Sequence, residues 1–198
     1  RAIRERLLRD PYAGRPRPVL VNNWEATYFD FDAEKLLEIA KEAAPLGIRL
    51  LVMDDGWFGV RNNDFGGLGA WTVNRQKLPG GLEALVPRLR KLGMKFGLWV
   101  EPEMVSENSA LYREHPEWTI RAPGRPGARG RSQLALDLSR EDVRDYLFQA
   151  LRRVLDSTEV AYLKWDLNRS FTDVWSAALP PERQAETARV YLKKKEEL

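Results

Sequence analysis

Short apolar runs alternate with longer amphipathic stretches along most of the chain. Each run has the length of a buried strand, and each longer stretch repeats its apolar residues at helical spacing. The predicted strands are 19–24, 48–53, 95–100 and 160–166. The predicted helices are 1–10, 30–46, 81–92, 139–156 and 182–198. Strands that alternate with helices in this way are typical of a parallel sheet with right-handed crossovers.

The pattern predicts an α/β fold that amounts to half of a (β/α)8 TIM barrel. A complete barrel needs eight strand–helix units in roughly 250 residues, whereas these 198 residues supply four parallel units. We expect one domain over 1–198, with a leading segment at 1–18. The region 104–139 is irregular, and part of it is rich in glycine, proline and arginine, so we expect a long functional excursion after the third strand.

Capping and stop signals accompany several of the predicted helices. Asp30 or Asp32 is placed to cap the first crossover helix. Ser139, followed three residues later by Asp142, predicts a capping arrangement for the helix that precedes the fourth strand. Pro11 stops the helix predicted at 1–10.

Each predicted strand ends in polar or aromatic side chains. These are Asn22, Asn23 and Trp24; Asp54, Asp55 and Trp57; Trp99, Glu101 and Glu103; Lys164, Asp166 and Asn168. The carboxyl ends of parallel strands meet at one mouth of a barrel, where active sites lie. Carboxylates bind hydroxyl groups and indole faces pack against sugar rings, so this set suits a carbohydrate. The alternative is structural, with the tryptophans in the core and the acids as helix caps.

The end of the fourth strand concentrates the candidate chemistry. Alternation places Lys164, Asp166 and Asn168 on one face, with Trp165 and Leu167 on the other. Glycoside hydrolysis with retention needs a carboxylate nucleophile and a second carboxyl group as proton donor. We expect Asp166 to be the nucleophile, its pKa lowered by the nearby charge of Lys164. The alternative for this stretch is an ion-paired strand end on the surface.

Composition argues against several other functions. The chain has no cysteine and one histidine, His115, which excludes thiol chemistry and argues against a serine triad or a histidine-rich metal site; we expect His115 in a loop or at a helix end. Charges are mostly intermixed around a net charge of +3, so we expect no nucleic-acid partner. No apolar run approaches the roughly 20 residues of a membrane span, so we expect no secretion signal, no membrane partner and a cytoplasmic location.

The acidic side chains at the strand ends could instead bind a metal ion. Four or more carboxylates are enough to hold magnesium or calcium. However, Lys164 and Arg131 would compete for those carboxylates, and their spacing matches no calcium loop. We therefore expect no metal.

Ordered motifs from residue 19 to about residue 173 narrow the function further. They are NNWEA (22–26), MDDGWFG (53–59), FGLWVEPEM (96–104), HPEW (115–118), GRSQ (130–133) and KWDLNR (164–169). This series resembles the bacterial retaining α-galactosidases of glycoside hydrolase family 36. Several long motifs in a fixed order are far more specific than a lone glycine signature.

The resemblance implies hydrolysis of raffinose-type α-galactoside oligosaccharides by double displacement, without a cofactor. It implies Asp166 as the nucleophile. It implies that the galactose pocket contains Trp24, Asp54, Asp55, Trp99, Arg131, Lys164 and Asn168. Asp54 and Asp55 would bind the axial 4-hydroxyl and the 6-hydroxyl, which distinguish galactose from glucose.

The sequence departs from the family in one important respect. Family members carry their general acid/base aspartate after a later barrel strand, in a serine- and glycine-rich motif that these residues lack. Loss of a positioned acid typically slows the reaction about 10²–10⁴-fold. We therefore expect weak hydrolysis, or none, from these residues alone.

Half a barrel leaves two sheet edges and one face uncovered, which favours self-association. We expect a homodimer in which strand one of each copy lies beside strand four of the other, so that Asp54 or Asp55 of the partner subunit stands in for the missing acid. The alternative from another class is a non-catalytic half-barrel that binds sugar or serves as a scaffold. Within enzymes, the alternative is a transglycosylase related to raffinose synthases.

Overall fold

The computed structural model describes residues 16–169 and 171–198, so the helix predicted at 1–10 lies outside the described residues. Within them, four strands form one parallel sheet whose spatial order follows the chain. They are β1 (Leu20–Asn22), β2 (Leu50–Met53), β3 (Lys95–Val100) and β6 (Tyr162–Trp165). A second, two-stranded sheet pairs β4 (Met104–Val105) with β5 (Leu134–Ala135) in antiparallel fashion. Sequential order without a switch point is that of a barrel, and the predicted α/β class with four parallel strands is confirmed.

The register of the sheet determines which side chains share a face. Trp99 on β3 lies beside Lys164 on β6, and Val52 on β2 lies beside Gly97 on β3. Residues in register share a face and alternate residues repeat it, so Asp54 continues this face at the end of β2. The opposite face carries the buried core residues Leu51, Met53, Phe96, Leu98 and Val100.

Six helices accompany the strands in the described part of the chain. They are α1 (Trp24–Thr27), α2 (Ala33–Ala43), α3 (Gly81–Lys91), α4 (Ala110–Glu114), α5 (Glu141–Ser157) and α6 (Thr187–Lys195). Short 3-10 turns cover Ala44–Leu46, Pro116–Trp118 and Pro181–Glu186. Of the two candidate caps for α2, Asp32 is the one used, and it accepts the N–H of Lys35 at 2.9 Å.

The capping arrangement predicted at Ser139 is wrong. Arg140 occupies the N-cap position of α5, and its guanidinium binds the Asp142 carboxylate at 2.6 Å. Charge-assisted bonds are stronger than neutral ones, so the ion pair takes the carboxylate that the capping arrangement needs. Ser139 Oγ is buried without a hydrogen-bond partner among the described residues.

The last predicted helix differs from the structure in its first turns. A 3-10 turn over Pro181–Glu186 comes first, and the α-helical hydrogen bonding begins only at Thr187. The side-chain amide of Gln184 donates to the backbone carbonyls of Ser176 and Leu179. These bonds fix the tight turn before α6.

The excursion between β3 and α5 holds the small antiparallel sheet and α4. Ser109 caps α4 through the N–H of Tyr112. His115 ends α4 and stacks on Trp118 with ring centroids 4.0 Å apart. The prediction that His115 lies at a helix end is confirmed.

One core lies between the outer face of the sheet and the crossover helices. It includes Leu36 and Leu37 of α2, Leu82 of α3 and Leu147 of α5. In 16–169 and 171–198, no helix combines the length and the apolar character that crossing a membrane requires.

Candidate active site

A hollow of about 440 Å³ opens where the four parallel strands end. It is lined by Trp24, Asp54, Asp55, Arg61, Asp64, Trp99, Glu101, Arg131, Gln133, Lys164, Asp166 and Asn168. All eight site residues predicted from the sequence are in this set. The structure thus brings them together, while the role of each stays a prediction.

Asp166 follows directly on β6, whose last residue is Trp165. Its Oδ2 accepts hydrogen bonds from the indole Nε1–H of Trp99 at 3.0 Å and the side-chain amide of Asn168 at 2.8 Å. Its Oδ1 accepts the backbone N–H of Leu167 at 3.0 Å. Both carboxylate oxygens are therefore held by neutral donors.

Hydrogen bonding accounts for most of the lowering of the Asp166 pKa. Burial alone would raise the pKa, but the bonds from Trp99 and Asn168, and then that from the backbone of Leu167, bring it below its ordinary value. The charge of Lys164 acts in the same direction and is the smallest of these influences. The expectation that Lys164 lowers this pKa has the right sign, but Lys164 is not the main cause.

The ion-pair partner of Lys164 is Asp54. Lys164 Nζ lies 2.8 Å from Asp54 Oδ2, and the Asn22 amide donates to the same oxygen at 2.5 Å. The backbone N–H of Asp54 is held by Asn23 Oδ1 at 2.8 Å. Asn22 and Asn23 therefore support Asp54 instead of lining the hollow.

Asp55 forms a buried ion pair with Arg61. Arg61 Nε lies 3.1 Å from both Asp55 oxygens, and one terminal nitrogen lies 2.8 Å from Oδ2. Burial raises the pKa of Asp55, while the hydrogen bonds and charge of Arg61 oppose that rise. Arg61 is a pocket residue that the sequence did not predict, because it lies in an irregular glycine-rich loop with neither a hydrophobic period nor a motif that points to it.

Glu101 links β3 to the segment after β6. Its Oε1 accepts the backbone N–H of Asn168 at 2.8 Å and the Gln133 side-chain amide at 3.3 Å. Burial raises the pKa of Glu101, and its bonds to Asn168 oppose that rise. This contact holds Asn168 where its side chain reaches Asp166.

Arg131 reaches the hollow from a strained turn. Arg131 and Ser132 have φ values of 52° and 59°, and the flanking Gly130 and Gln133 are joined by two backbone hydrogen bonds. Two successive positive φ values define a type I′ hairpin turn, which normally uses asparagine and glycine. The guanidinium lies 3.4 Å from the Asp64 carboxylate at the rim.

The strand-end aromatic residues divide between pocket and core. Trp24 is half-buried, lines the hollow and packs edge-on against Phe29, with ring centroids 5.0 Å apart. Trp99 is only 2 % exposed and stacks on Phe58, so it reaches the hollow chiefly as a hydrogen-bond donor. Trp57 is fully buried, so the expectation that it lies at the mouth of the barrel is wrong. For this residue the alternative, a tryptophan in the core, is the correct one.

Glu103, the other expected member of the mouth, is also buried away from the hollow. It is 0 % exposed and accepts hydrogen bonds from Trp165 Nε1 and the Tyr191 hydroxyl, each at 2.8 Å. The chain turns at 102–103, directly after β3, so Glu103 does not continue the face on which Glu101 lies. Among the described residues, no group of three or more acids and histidines is arranged to hold a metal ion.

Comparison with known proteins identifies close relatives. The chain is 57 % identical over 189 residues to α-galactosidase AgaA of Geobacillus stearothermophilus, covering 96 % of this chain and 26 % of that protein. It is 52 % identical over 177 residues to the bifunctional α-galactosidase/sucrose kinase AgaSK of Mediterraneibacter gnavus, covering 89 % of this chain and 19 % of that protein. The chain therefore spans about a quarter or less of these relatives.

Solved structures agree with the fold. The crystal structure of the GH36 α-galactosidase AgaA matches with a TM-score of 0.94 and 56 % identity, over 97 % of this chain and 27 % of that one. Variants of AgaA have been crystallised with raffinose and with stachyose. An α-galactosidase of Thermus thermophilus in complex with p-nitrophenyl α-D-galactopyranoside matches with a TM-score of 0.67 and 28 % identity, over 91 % of this chain and 36 % of that one.

The family itself follows from a direct match. The melibiase family model matches residues 1–194. The resemblance to glycoside hydrolase family 36 seen in the motifs is thereby confirmed, and so is the partial-barrel fold. The chain belongs to the melibiase family.

Proposed function

We propose that the chain is part of a retaining α-galactosidase and provides its galactose pocket and its nucleophile, Asp166. The observation that carries the proposal is the position of Asp166 in the hollow, with Trp99 and Asn168 bound to its Oδ2. Neutral donors keep a carboxylate ionised without covering it by a cation, so it stays available to attack an anomeric carbon.

The pocket suits a sugar with hydroxyl groups at several positions. Two carboxylates, Asp54 and Asp55, present acceptor oxygens, while Lys164 and Arg131 present donors. Half-buried Trp24 also lines the hollow and offers an apolar ring surface. We assign the 4- and 6-hydroxyls of galactose to the two aspartates, and α-galactoside oligosaccharides as the substrate class. The raffinose and stachyose complexes of AgaA variants support this class.

A retaining mechanism needs a second carboxyl group that protonates the leaving group. No residue of this pocket is assigned to that role. Asp54 and Asp55 are each held in an ion pair, with Lys164 and Arg61 respectively. We propose that protonation of the leaving group depends on residues outside this chain, and that the chain alone hydrolyses ordinary α-galactosides weakly. Removal of a positioned acid typically slows such reactions about 10²–10⁴-fold.

A substrate with a good leaving group tests the nucleophile separately from the acid. Dinitrophenolate leaves with little need for protonation, so dinitrophenyl α-galactoside should transfer its galactosyl group to Asp166. Because the second step also needs the acid/base group, the galactosyl-enzyme should accumulate. Intact mass spectrometry should show one added galactosyl group, and peptide mapping should place it on Asp166.

Two variants complete this experiment. Asp166→Asn should take up no galactosyl group, whereas Asp145→Asn, an exposed change on α5, should be labelled like the unsubstituted chain. A label on any other side chain, or one that persists in Asp166→Asn, would overturn the assignment of the nucleophile.

A self-associated half-barrel is the second candidate, favoured by apolar side chains at both sheet edges. Val19 and Leu20 at the β1 edge are 67 % and 38 % exposed, and Tyr162 at the β6 edge is 38 % exposed. We propose that two copies pair β1 with β6 of the other copy and close eight strands. A non-catalytic module would instead bind sugar without hydrolysing it. Calorimetric titration with galactose measures that binding, and binding without hydrolysis would favour the module.

A further inference from the structure

Arg61 is the most completely engaged side chain among the pocket residues that the sequence did not predict. It is 3 % exposed and makes three N–H contacts with Asp55. Its remaining terminal nitrogen donates to the Gly66 carbonyl at 2.7 Å. The same side chain therefore ties the pocket carboxylate to the loop that follows β2.

The packing around Arg61 leaves its side chain little freedom. Its guanidinium carbon lies 5.6 Å from the centre of the Phe29 ring. Gly67, with φ of +90°, approaches so closely that a Cβ there would lie 3.2 Å from the Cα of Arg61. A longer residue at Gly67 would thus press on the backbone of Arg61, and the loop geometry keeps the guanidinium aimed at Asp55.

The two neighbouring aspartates are supported in different ways. Asp54 is bound by Lys164, whose side chain is 39 % exposed, and by the neutral amide of Asn22. Asp55 is bound by the planar guanidinium group of Arg61, which is itself buried. A guanidinium group that donates two N–H bonds fixes the plane of a carboxylate, whereas an ammonium group acts as a point charge.

We propose that Arg61 is a positioning residue for sugar recognition, which fixes the Asp55 carboxylate, ionised and in one orientation, toward the pocket. A carboxylate has about four acceptor positions, of which Arg61 occupies up to three. Because Asp55 lines the hollow, the remaining position is the one left to accept a sugar hydroxyl. This inference rests on the proposed galactose pocket and adds to it the residue that keeps Asp55 an acceptor.

The charged groups that face Asp55 set its protonation. They are Arg61, Asp54, Asp64, Glu101 and Lys77. Burial and the neighbouring acids raise the pKa of Asp55, and Arg61 is the cation in direct contact with it. Without Arg61, Asp55 takes a proton at a higher pH, and a protonated carboxyl donates a hydrogen bond where the carboxylate accepts one.

The first test measures this coupling without any sugar. The carboxyl carbon of Asp55 is titrated by ¹³C NMR in the unsubstituted chain and in Arg61→Gln, with Arg75→Gln as the matched control. Arg75 forms an exposed ion pair with Glu83, so its loss should leave Asp55 unchanged. We expect the Asp55 pKa to rise in Arg61→Gln alone. An equal Asp55 pKa in all three proteins would overturn the proposal.

The second test is a double-mutant cycle on galactose affinity. Arg61→Gln and Asp55→Asn should each weaken galactose binding about tenfold or more, since each removes a charge-assisted contact. If Arg61 acts through Asp55, the double variant should bind no more weakly than Asp55→Asn. The preference for galactose over glucose or 6-deoxygalactose should shrink in the same variants. Additive losses would show that Arg61 binds the sugar itself and would overturn the positioning role.

Arg61→Lys covers the case in which Arg61→Gln does not fold. It keeps the positive charge but not the planar guanidinium group, so Asp55 should stay ionised while the preference for galactose is lost. Full preference in Arg61→Lys would contradict the orienting role. If the unsubstituted chain binds no galactose, the proposed function fails, and the carboxyl titration still decides whether Arg61 controls Asp55.

Discussion

Lys164 and Lys35 form similar ion pairs with carboxylates of very different burial. The two lysine side chains are 39 % and 43 % exposed, whereas Asp54 is 4 % and Asp30 is 92 % exposed. Loss of Lys164 leaves a buried carboxylate without its cation, and we expect Lys164→Met to lower the free energy of unfolding by about 1–3 kcal/mol. Urea unfolding followed by circular dichroism measures the change.

Lys35→Met is the matched control for this prediction. Asp30 stays hydrated when its partner is removed, so the variant should unfold with the same urea midpoint as the unsubstituted chain. Equal losses in the two variants would mean that burial of Asp54 does not decide the effect.

The sequence predicts the positions of some pocket residues but not their contacts. Strand alternation places Lys164 and Asp166 on the inner face, and the structure has both in the hollow. It does not reveal which carboxylate Lys164 binds, because Asp54 comes from a strand 110 residues earlier. Arg61 was not predicted for a different reason: its contact with Asp55, six residues away, depends on the path of an irregular loop.

At the scale of elements, a buried acid joins the last helix to the sheet. Glu103 accepts the Tyr191 hydroxyl of α6 and the Trp165 indole of β6, and Lys195 lies 2.5 Å from it. Removal of the Tyr191 hydroxyl in Tyr191→Phe deprives a fully buried carboxylate of one donor. We expect a loss of about 1–3 kcal/mol in the free energy of unfolding, together with faster amide hydrogen exchange over 187–195.

Tyr162→Phe serves as the control, because Tyr162 is 38 % exposed at the sheet edge. It should change neither the unfolding midpoint nor the exchange of α6. If Tyr191→Phe loses stability without faster exchange in α6, the hydroxyl does not anchor the helix.

Helices and strands with a clear hydrophobic period were predicted well. Caps and turns, whose geometry depends on contacts between particular side chains, were not. The four parallel strands and the crossover helices match their apolar runs closely. The Ser139 cap failed because Arg140 binds Asp142. The turn at Arg131 and Ser132 carries two positive φ values that nothing in these side chains predicts. Such strain is typical of functional sites, where the surrounding structure holds it in place.

For the molecule as a whole, the sheet leaves apolar surface at both of its outer strands. Beside β1, a groove is lined in part by Val21, Ile39, Ala43, Leu46 and Ile48. Beside β6, a second groove is lined in part by Phe148, Leu151, Leu155, Leu163 and Trp165. In a closed barrel both regions are covered by the next strand–helix unit. The two grooves are therefore the surfaces through which the proposed dimer would close.

The dimer is tested by light scattering on the chain and two variants. We expect a mass of two chains for the unsubstituted protein and of one chain for Val19→Glu, because a charge at the β1 edge opposes pairing with β6. Val60→Glu, in the loop after β2 and 81 % exposed, should keep the mass of two chains. A monodisperse monomer of the unsubstituted chain would exclude closure by self-association. The proposed galactose pocket, whose lining residues all come from one chain, would then have to act without a second copy.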